Sequence, residues 1–226
     1  MTEKEPDFIV YMREMFAKHG GDWDAIQKKL NEVFPVSRKD SEQMAVFGHF
    51  YFYICAPHKM EQRDELRIVG MTSLIEAMMA EVEFKDPFVY FEEELKGKNS
   101  IEDFSDFKKK YYEKYGATKK VLKYFEDFVS KEDTMEILEG IKLIDKATSE
   151  KSSLKDLEQF AKFLYQMRND FVHNANMRNF CPEDCFASLL MIGKNIYDVR
   201  VPASSILNVF EKSFVTFWQR KYEKFK

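Results

Sequence analysis

Apolar residues recur three and four positions apart along most of the chain, a spacing that places them on one face of an α-helix. Gly20 ends the first predicted helix, and Asp22 or Asp24 caps a second that stops before Pro35. Glycine after a helix and aspartate before one satisfy backbone groups that helix ends leave unpaired. We therefore predict an appended helical hairpin over residues 1–35.

The same spacing predicts two helices between this hairpin and residue 85. The third begins after Ser41 and ends before Pro57, and the fourth covers residues 61–82. The apolar positions of the third helix are Met44, Phe47, Tyr51 and Ile54.

Residues 85–149 differ from their surroundings in being acidic and rich in lysine. Ser100 and Ser130 are candidate N-caps within this segment, because a serine oxygen accepts a hydrogen bond from the first N–H groups of a helix. We predict that the segment folds as a helical insertion made of shorter helices.

The C-terminal third begins with a long amphipathic helix, called here the motif helix. Residues 153–156, Ser-Leu-Lys-Asp, resemble a capping box and predict its start. Pro182 and Pro202 each predict the start of a further helix, because proline suits a first helical turn. The apolar stripe of the motif helix comprises Leu154, Leu157, Phe160, Leu164, Met167 and Phe171. The stripe of the last helix comprises Ile206, Phe210, Phe214 and Phe217.

These elements predict an all-α fold, a helical bundle forming a single domain over residues 1–226. The bundle itself would span residues 36–226, with the helical insertion at about 85–149. Only 8 Gly and 6 Pro are available for turns, whereas 22 Phe and 12 Met supply a core. A sheet-rich fold is not expected.

The chain is expected to be a soluble cytoplasmic protein with no membrane partner. Its first residues are acidic and polar, where a signal peptide would be basic and then apolar. The most apolar run, residues 45–56, is too short to span a bilayer. The three cysteines, Cys55, Cys181 and Cys185, indicate free thiols in a reducing compartment.

Charge is distributed unevenly along the chain, whose net charge is −4. Residues 151–226 carry 12 Lys and Arg against 8 Asp and Glu, which leaves 23 against 31 for residues 1–150. The basic third is compatible with a phosphate-bearing ligand, although many helical proteins with no such ligand show the same surplus.

One short pattern is a candidate for chemistry: Arg168-Asn169 followed four residues later by His173. The chain has none of the common nucleotide-binding, zinc-protease or serine-hydrolase signatures. A helix turns about 100° per residue, so Asn169 and His173 share a face while Arg168 lies about 140° away from His173. His173 is predicted almost opposite the apolar stripe, facing solvent or another chain.

The residues around this pattern resemble the R-x(4-6)-H signature of HEPN domains, which usually carry a polar residue after the arginine. The matching string is Met167-Arg168-Asn169-Asp170-Phe171-Val172-His173-Asn174. Its position late in a long amphipathic helix adds to the resemblance. Residues 67–76 also resemble the earlier helix of such bundles.

This resemblance implies a metal-independent endoribonuclease that needs no cofactor and acts on RNA as a homodimer. His173 would act as general base or acid, Arg168 would brace the phosphate, and Asn169 would orient the imidazole or hold the ribose. Because Arg168 and His173 point apart on one helix, each chain would supply half of a composite site. The setting would be defence, toxin or stress response, with an antitoxin or regulator as a further partner.

Two other functions stay open from the sequence. The same residues would also suit a non-catalytic helical module that binds RNA, a nucleotide or a protein. The pattern also fits a protein-interaction scaffold in which Arg168 and His173 have no chemical role.

Three further features have a structural and a functional interpretation. Glu76 interrupts an apolar stretch and is either a buried partner of Arg168 or, as we favour, a partly exposed acid. Cys181 and Cys185 lack a standard zinc spacing and are taken as structural or inert thiols. Residues 108–115 interleave lysine with tyrosine, which occurs at single-stranded nucleic-acid surfaces but is more common in a solvated helix.

Overall fold

The computed structural model describes residues 7–33, 64–80, 87–96, 104–174 and 187–223, and most of them are helical. The helices of this part of the chain are α1 (Asp7–Lys18), α2 (Trp23–Val33), α3 (Asp64–Ala80), α4 (Pro87–Leu95), α5 (Phe104–Tyr115), α6 (Ala117–Phe128), α7 (Lys131–Gly140), α8 (Leu157–Asn174) and α9 (Ala203–Glu223). The motif helix is α8.

A small antiparallel sheet accompanies these helices. Its strands are β1 (Ile141–Ile144), β2 (Lys151–Ser153), β3 (Ser188–Ile192) and β4 (Asn195–Val199), in the spatial order β2-β1-β4-β3. The pairing of Ile141 with Val199 joins β1 to β4 across the whole of α8. In the sequence, β1 and β2 therefore precede the motif helix, and β3 and β4 follow it.

The N-terminal hairpin forms with the two ends that the sequence predicts. Gly20 has a φ of +74°, and the N–H groups of Gly20 and Gly21 donate to the carbonyls of Ala17 and Phe16. This is the Schellman arrangement, which a left-handed glycine permits without strain. Asp22 caps α2, because its Oδ1 accepts a hydrogen bond from the N–H of Ala25 at 3.0 Å.

The core lies between α3, α6, α8 and α9, whose apolar faces meet. Phe125 of α6 packs edge-on against Phe160 of α8, with ring centroids 5.1 Å apart. The inner face of the sheet covers another side of α8, where Phe163 lies 5.0 Å from the ring of Tyr197. Burial of these rings fixes the orientation of the motif helix.

The motif helix begins three residues later than the predicted capping box. Ser153 ends β2, and Asp156 is the cap, since its Oδ1 accepts from the N–H of Gln159 at 2.9 Å. The side chain of Gln159 in turn accepts from the N–H of Lys155 at 3.0 Å. As in a capping box, the side chains of Asp156 and Gln159 each accept a hydrogen bond from a backbone N–H group at the start of the helix.

The prediction of a fold without strands is wrong, although the mostly helical class is confirmed. The predicted helical insertion contains α4 to α7, but β1 follows α7 inside it. Between Pro182 and Pro202, where only a helix was predicted, β3 and β4 form a hairpin. Gly193, with a φ of +60°, lies in the two-residue turn. A glycine followed by a polar residue between two apolar runs is typical of a β-hairpin. The prediction followed the helical spacing instead and therefore missed this hairpin.

Several predictions concern residues outside the described part of the chain. They are the third helix, the cap at Ser100 and the helix start at Pro182. The division into an appended hairpin and a bundle remains a prediction, although residues of α1 and α2 belong to the same apolar cluster as α9. None of the described helices combines the length and the apolar character that crossing a membrane requires.

Candidate functional site

Arg168 lies on the side of α8 that faces α3, where it meets a carboxylate. Its Nη2 is 4.0 Å from Oε2 of Glu76, and both side chains are mostly buried. Its Nη1 donates a hydrogen bond to Oδ1 of the neighbouring Asn169 at 3.1 Å. Arg168 is therefore held between an acid on another helix and an amide on its own.

Glu76 combines the two interpretations offered by the sequence, since it is partly buried and also pairs with Arg168. Burial raises the pKa of Glu76, and the charges of Arg168 and Lys120 oppose that rise. Its Oε1 and the Nε of Arg168 are buried and make no hydrogen bond within the described residues. A buried polar atom without a partner is costly, so this pair has hydrogen-bonding capacity left for a polar ligand.

His173 lies on the exposed side of α8, as the helical spacing predicts. Its side chain is exposed, as are those of Val172 and Asn174 beside it. Asn174 donates to Asp170 at 3.0 Å, which holds the last turn of the helix in place. The imidazole is therefore presented to solvent near the C-terminal end of α8.

Asn169 makes a hydrogen bond that the sequence did not indicate, and its predicted role toward His173 or a ribose remains a prediction. We expected it to orient His173 or to hold a ribose, whereas its Oδ1 accepts from Arg168. An amide oxygen beside a guanidinium restricts the rotation of the arginine. Asn169 thus positions Arg168 in this structure, and its NH₂ group is the part that remains for a ligand.

Lys120 of α6 is a member of this site that the sequence did not indicate. It lies near enough to Glu76 for its charge to lower the pKa of that carboxyl. In the sequence it belongs to the polar face of an amphipathic helix, with Lys119 and Lys123, and such a face is usually assigned to solvent. The packing of α6 against α3 and α8 brings Lys120 near Glu76.

The lysine and tyrosine segment in α5 has the structure of a solvated helix with packed tyrosines. Tyr115 is buried and Tyr111 is half-buried, and both pack against the ring of Tyr90. Tyr112 is exposed, with the Nζ of Lys108 5.9 Å from its ring centroid. The arrangement agrees with the structural interpretation that we favoured.

Metal-binding side chains do not converge in the part of the chain that is described. No three His, Cys, Asp or Glu side chains there lie close enough to hold an ion. Cys181 and Cys185 lie outside the described residues, so the prediction of structural or inert thiols remains a prediction.

A second polar site lies at the other end of α3, between α1 and α9. It is a pocket of about 410 Å³, and neither Arg168 nor His173 lines it. Glu211 is its central acid, accepting from the Tyr11 hydroxyl and from the Lys18 amine, both at 3.2 Å. The sequence feature that could have indicated this pocket is Glu211, an acid that directly follows Phe210 of the apolar stripe of α9. The lining residues are Tyr11, Glu14, Met15, Lys18, Arg67, Ser204, Leu207, Asn208 and Glu211.

His19 lies beside Glu211, an acid of this pocket, and is nearly buried. Its side chain is 8% exposed, and its Nε2 is 3.7 Å from Oε2 of Glu211. Burial and the charge of Lys18 lower the pKa of His19, and these effects outweigh the attraction of Glu211. His19 is therefore held mainly as the neutral imidazole near neutral pH.

Comparison with known proteins adds nothing to this geometry. No protein-family model, curated protein or solved structure matches the chain significantly.

Proposed function

We propose that the protein is a metal-independent endoribonuclease of the HEPN type, acting as a homodimer with a composite site. The observation that carries the proposal is the arrangement of one helix end. Arg168 is preset by Glu76 and Asn169, while His173 is exposed on the same two turns. A histidine can move the protons of metal-free RNA cleavage, and an arginine can stabilise the charge that builds on the phosphate.

The imidazole of His173 would handle the protons of the reaction. As general base it would take the proton of a ribose 2′-OH, whose oxygen then attacks the adjacent phosphorus. The bond from phosphorus to the 5′-oxygen breaks, and that oxygen takes a proton from an imidazolium. The products are a 2′,3′-cyclic phosphate and a free 5′-OH.

The guanidinium of Arg168 would stabilise the charge that builds on the phosphate oxygens. Arginine offers a planar set of donors that matches two phosphate oxygens at once. Asn169 and Glu76 restrict its side chain, which lowers the entropy lost when it meets the phosphate. In this proposal Glu76 is a positioning residue, because it acts through Arg168.

A two-fold axis would bring the His173 of one chain to the Arg168 of the other. Within one chain Arg168 faces α3, whereas His173 is exposed on a different side of α8. A phosphate held by one chain's arginine is therefore better aligned with the partner's histidine than with its own.

The direct test is cleavage of single-stranded RNA in a metal chelator by the purified wild-type chain. We expect products ending in a cyclic phosphate, and we expect His173→Ala to lower the rate by about 100-fold or more. Val172→Ala is the matched control, because Val172 is an exposed neighbour of His173 on the same turn. The control should cleave at the wild-type rate.

Cleavage that depends on added metal, or that survives His173→Ala in a folded protein, would contradict the proposal. The fold of each variant is checked by its helical circular dichroism and its melting temperature. These two readouts separate loss of chemistry from loss of structure.

One observation favours a second candidate, a non-catalytic helical module that binds RNA. The ion pair with Glu76 already engages part of the Arg168 guanidinium, and such ion pairs also occur where their role is only structural. This candidate predicts RNA binding without cleavage, weakened by Arg168→Ala. A protein-interaction module predicts no RNA binding at all.

A further inference from the structure

The two edges of the sheet differ in how well they are protected. At one edge β2 has three residues, Lys151, Ser152 and Ser153, all exposed and all polar. At the other edge β3 has five residues, Ser-Leu-Leu-Met-Ile, with no charge among them. Short strands with lysine resist edge pairing, whereas long uncharged edges promote it.

No described strand pairs with the second edge of β3, and the outer face of β3 adds exposed apolar surface to that edge. Leu189 is 69% exposed and Met191 is 54% exposed. Register places Ile196 of β4 beside Met191, and Ile144 of β1 beside Ile196. A row of apolar side chains thus crosses the outer face and ends at the edge strand.

We propose that β3 pairs with β3 of a second copy of this chain, antiparallel and centred on Leu190. The two four-stranded sheets then form one continuous sheet across a two-fold axis. The choice of a second copy as the occupant rests in part on the proposed function, which requires two motif helices.

The strand is complementary to itself in this register. Pairing about Leu190 sets Leu189 of one chain opposite Met191 of the other, twice, on the same outer face. Opposed apolar side chains in an antiparallel pair stabilise it, and no like charges meet. The contact closes after two chains, because the described sheet has β3 as its uncharged edge and β2 as its polar one, and the pairing uses the β3 edge of both chains.

The same symmetry places the motif helices together. The inner face of the sheet covers α8, which contacts β3 directly. A two-fold axis perpendicular to a continuous sheet keeps both inner faces on one side. The two copies of α8 therefore lie on the same face of the joined sheet, one on each side of the axis.

The test is the mass of the full-length protein in solution, measured by light scattering and sedimentation over a range of concentrations. Wild type should form a dimer of two 26.9 kDa chains. The double variant Leu189→Lys, Met191→Lys places four ammonium groups around the axis and should raise the dimer dissociation constant by about 100-fold. Met135→Lys is the matched control, because Met135 is 57% exposed on α7, and it should leave the dimer unchanged.

A second variant guards against misfolding of the lysine variant. Leu189→Thr, Met191→Thr introduces β-branched residues, which suit a strand, while removing most of the apolar surface. It should weaken the dimer in the same direction. A monomeric wild type, an open-ended assembly, or a dimer that both variants leave intact would overturn the proposal.

The outcome is separable from that of the proposed function. A dimer that β3 substitutions dissociate, with no RNA cleavage, upholds the interface and refutes the nuclease. Cleavage by a wild type that stays monomeric refutes the interface and the composite site together. Cleavage by a dimer that β3 substitutions do not affect refutes the interface alone.

Discussion

Arg168 and Glu76 connect the motif helix to α3 through an ion pair whose atoms lie 4.0 Å apart. The two side chains are mostly buried, so the ionised carboxyl loses hydration that the arginine only partly replaces. The direction of the pKa of Glu76 agrees with this balance, because burial raises the pKa despite the nearby cations. The pair is thus a means of holding Arg168 more than a source of stability.

Removing Arg168 should destabilise the fold more than neutralising Glu76 does. Arg168→Ala leaves a partly buried carboxyl without its nearest cation and should lower the free energy of unfolding by about 1–2 kcal/mol. Glu76→Gln removes the charge and should change it by less than about 1 kcal/mol. Urea unfolding at neutral pH measures both, and the double variant should recover part of the loss.

The pH dependence of this comparison has a defined sign. Because the folded pKa of Glu76 is raised, its ionisation penalises the folded state as pH rises through and above the usual value of 4.5. Glu76→Gln should therefore gain stability relative to wild type as pH rises from about 4 to about 7. A difference that stays constant over this range would contradict the assignment.

Mixing two inactive chains tests whether the site is composite. Arg168→Ala and His173→Ala each retain one of the two groups, so a mixed dimer contains one intact pair across its axis. Random re-association should restore about a quarter of wild-type cleavage, since half of the dimers are mixed and each has one working site. If each site used residues of one chain only, the mixture would stay inactive.

His19 should make stability fall as the solution becomes acidic. Its folded pKa is lowered from the usual 6.5 by burial first and by Lys18 next, with Lys212 acting in the same direction. The unfolded chain therefore takes up a proton that the folded chain resists, and stability is lost as pH falls below 6.5.

The measurement compares wild type with His19→Gln by urea unfolding from about pH 7 to about pH 5. The variant should gain on wild type as pH falls, with a slope no steeper than about 1.4 kcal/mol per pH unit, the limit for one proton. Parallel curves for the two proteins would show that His19 titrates normally.

Asp198 should hold the outer face of the sheet together. Its side chain is 1% exposed and accepts from Lys151 at 2.8 Å and from Arg200 at 3.1 Å. Burial raises the pKa of Asp198, but the hydrogen bonds from Lys151 and Arg200 outweigh burial and lower it overall. Asp198→Asn should lower the free energy of unfolding at neutral pH by about 1–2 kcal/mol.

The lowered pKa of Asp198 also fixes where this contribution disappears. It is present above the usual value of 3.8 and is lost as pH falls through the folded pKa. The difference between wild type and Asp198→Asn should therefore shrink at about pH 3. Glu136→Gln changes an exposed carboxyl on α7 and serves as the control, with little change at either pH.

The helices were predictable because their determinants are local. Gly20, Asp22 and Pro202 act within a few residues of the helix ends that they mark, and an apolar stripe at helical spacing identified the buried face of α9. The exposure of His173 followed from the same angular arithmetic.

Only the tertiary structure decided where the sheet forms and what Arg168 contacts. A short strand satisfies its backbone through a partner strand, and β1 finds that partner in β4, on the far side of α8 in sequence. The contact between Arg168 and Glu76 likewise depends on how two helices pack. Helical hydrogen bonds join residues four positions apart, so the local spacing of residues predicts them. Strand pairs and interhelical ion pairs join distant segments and depend on the assembled core.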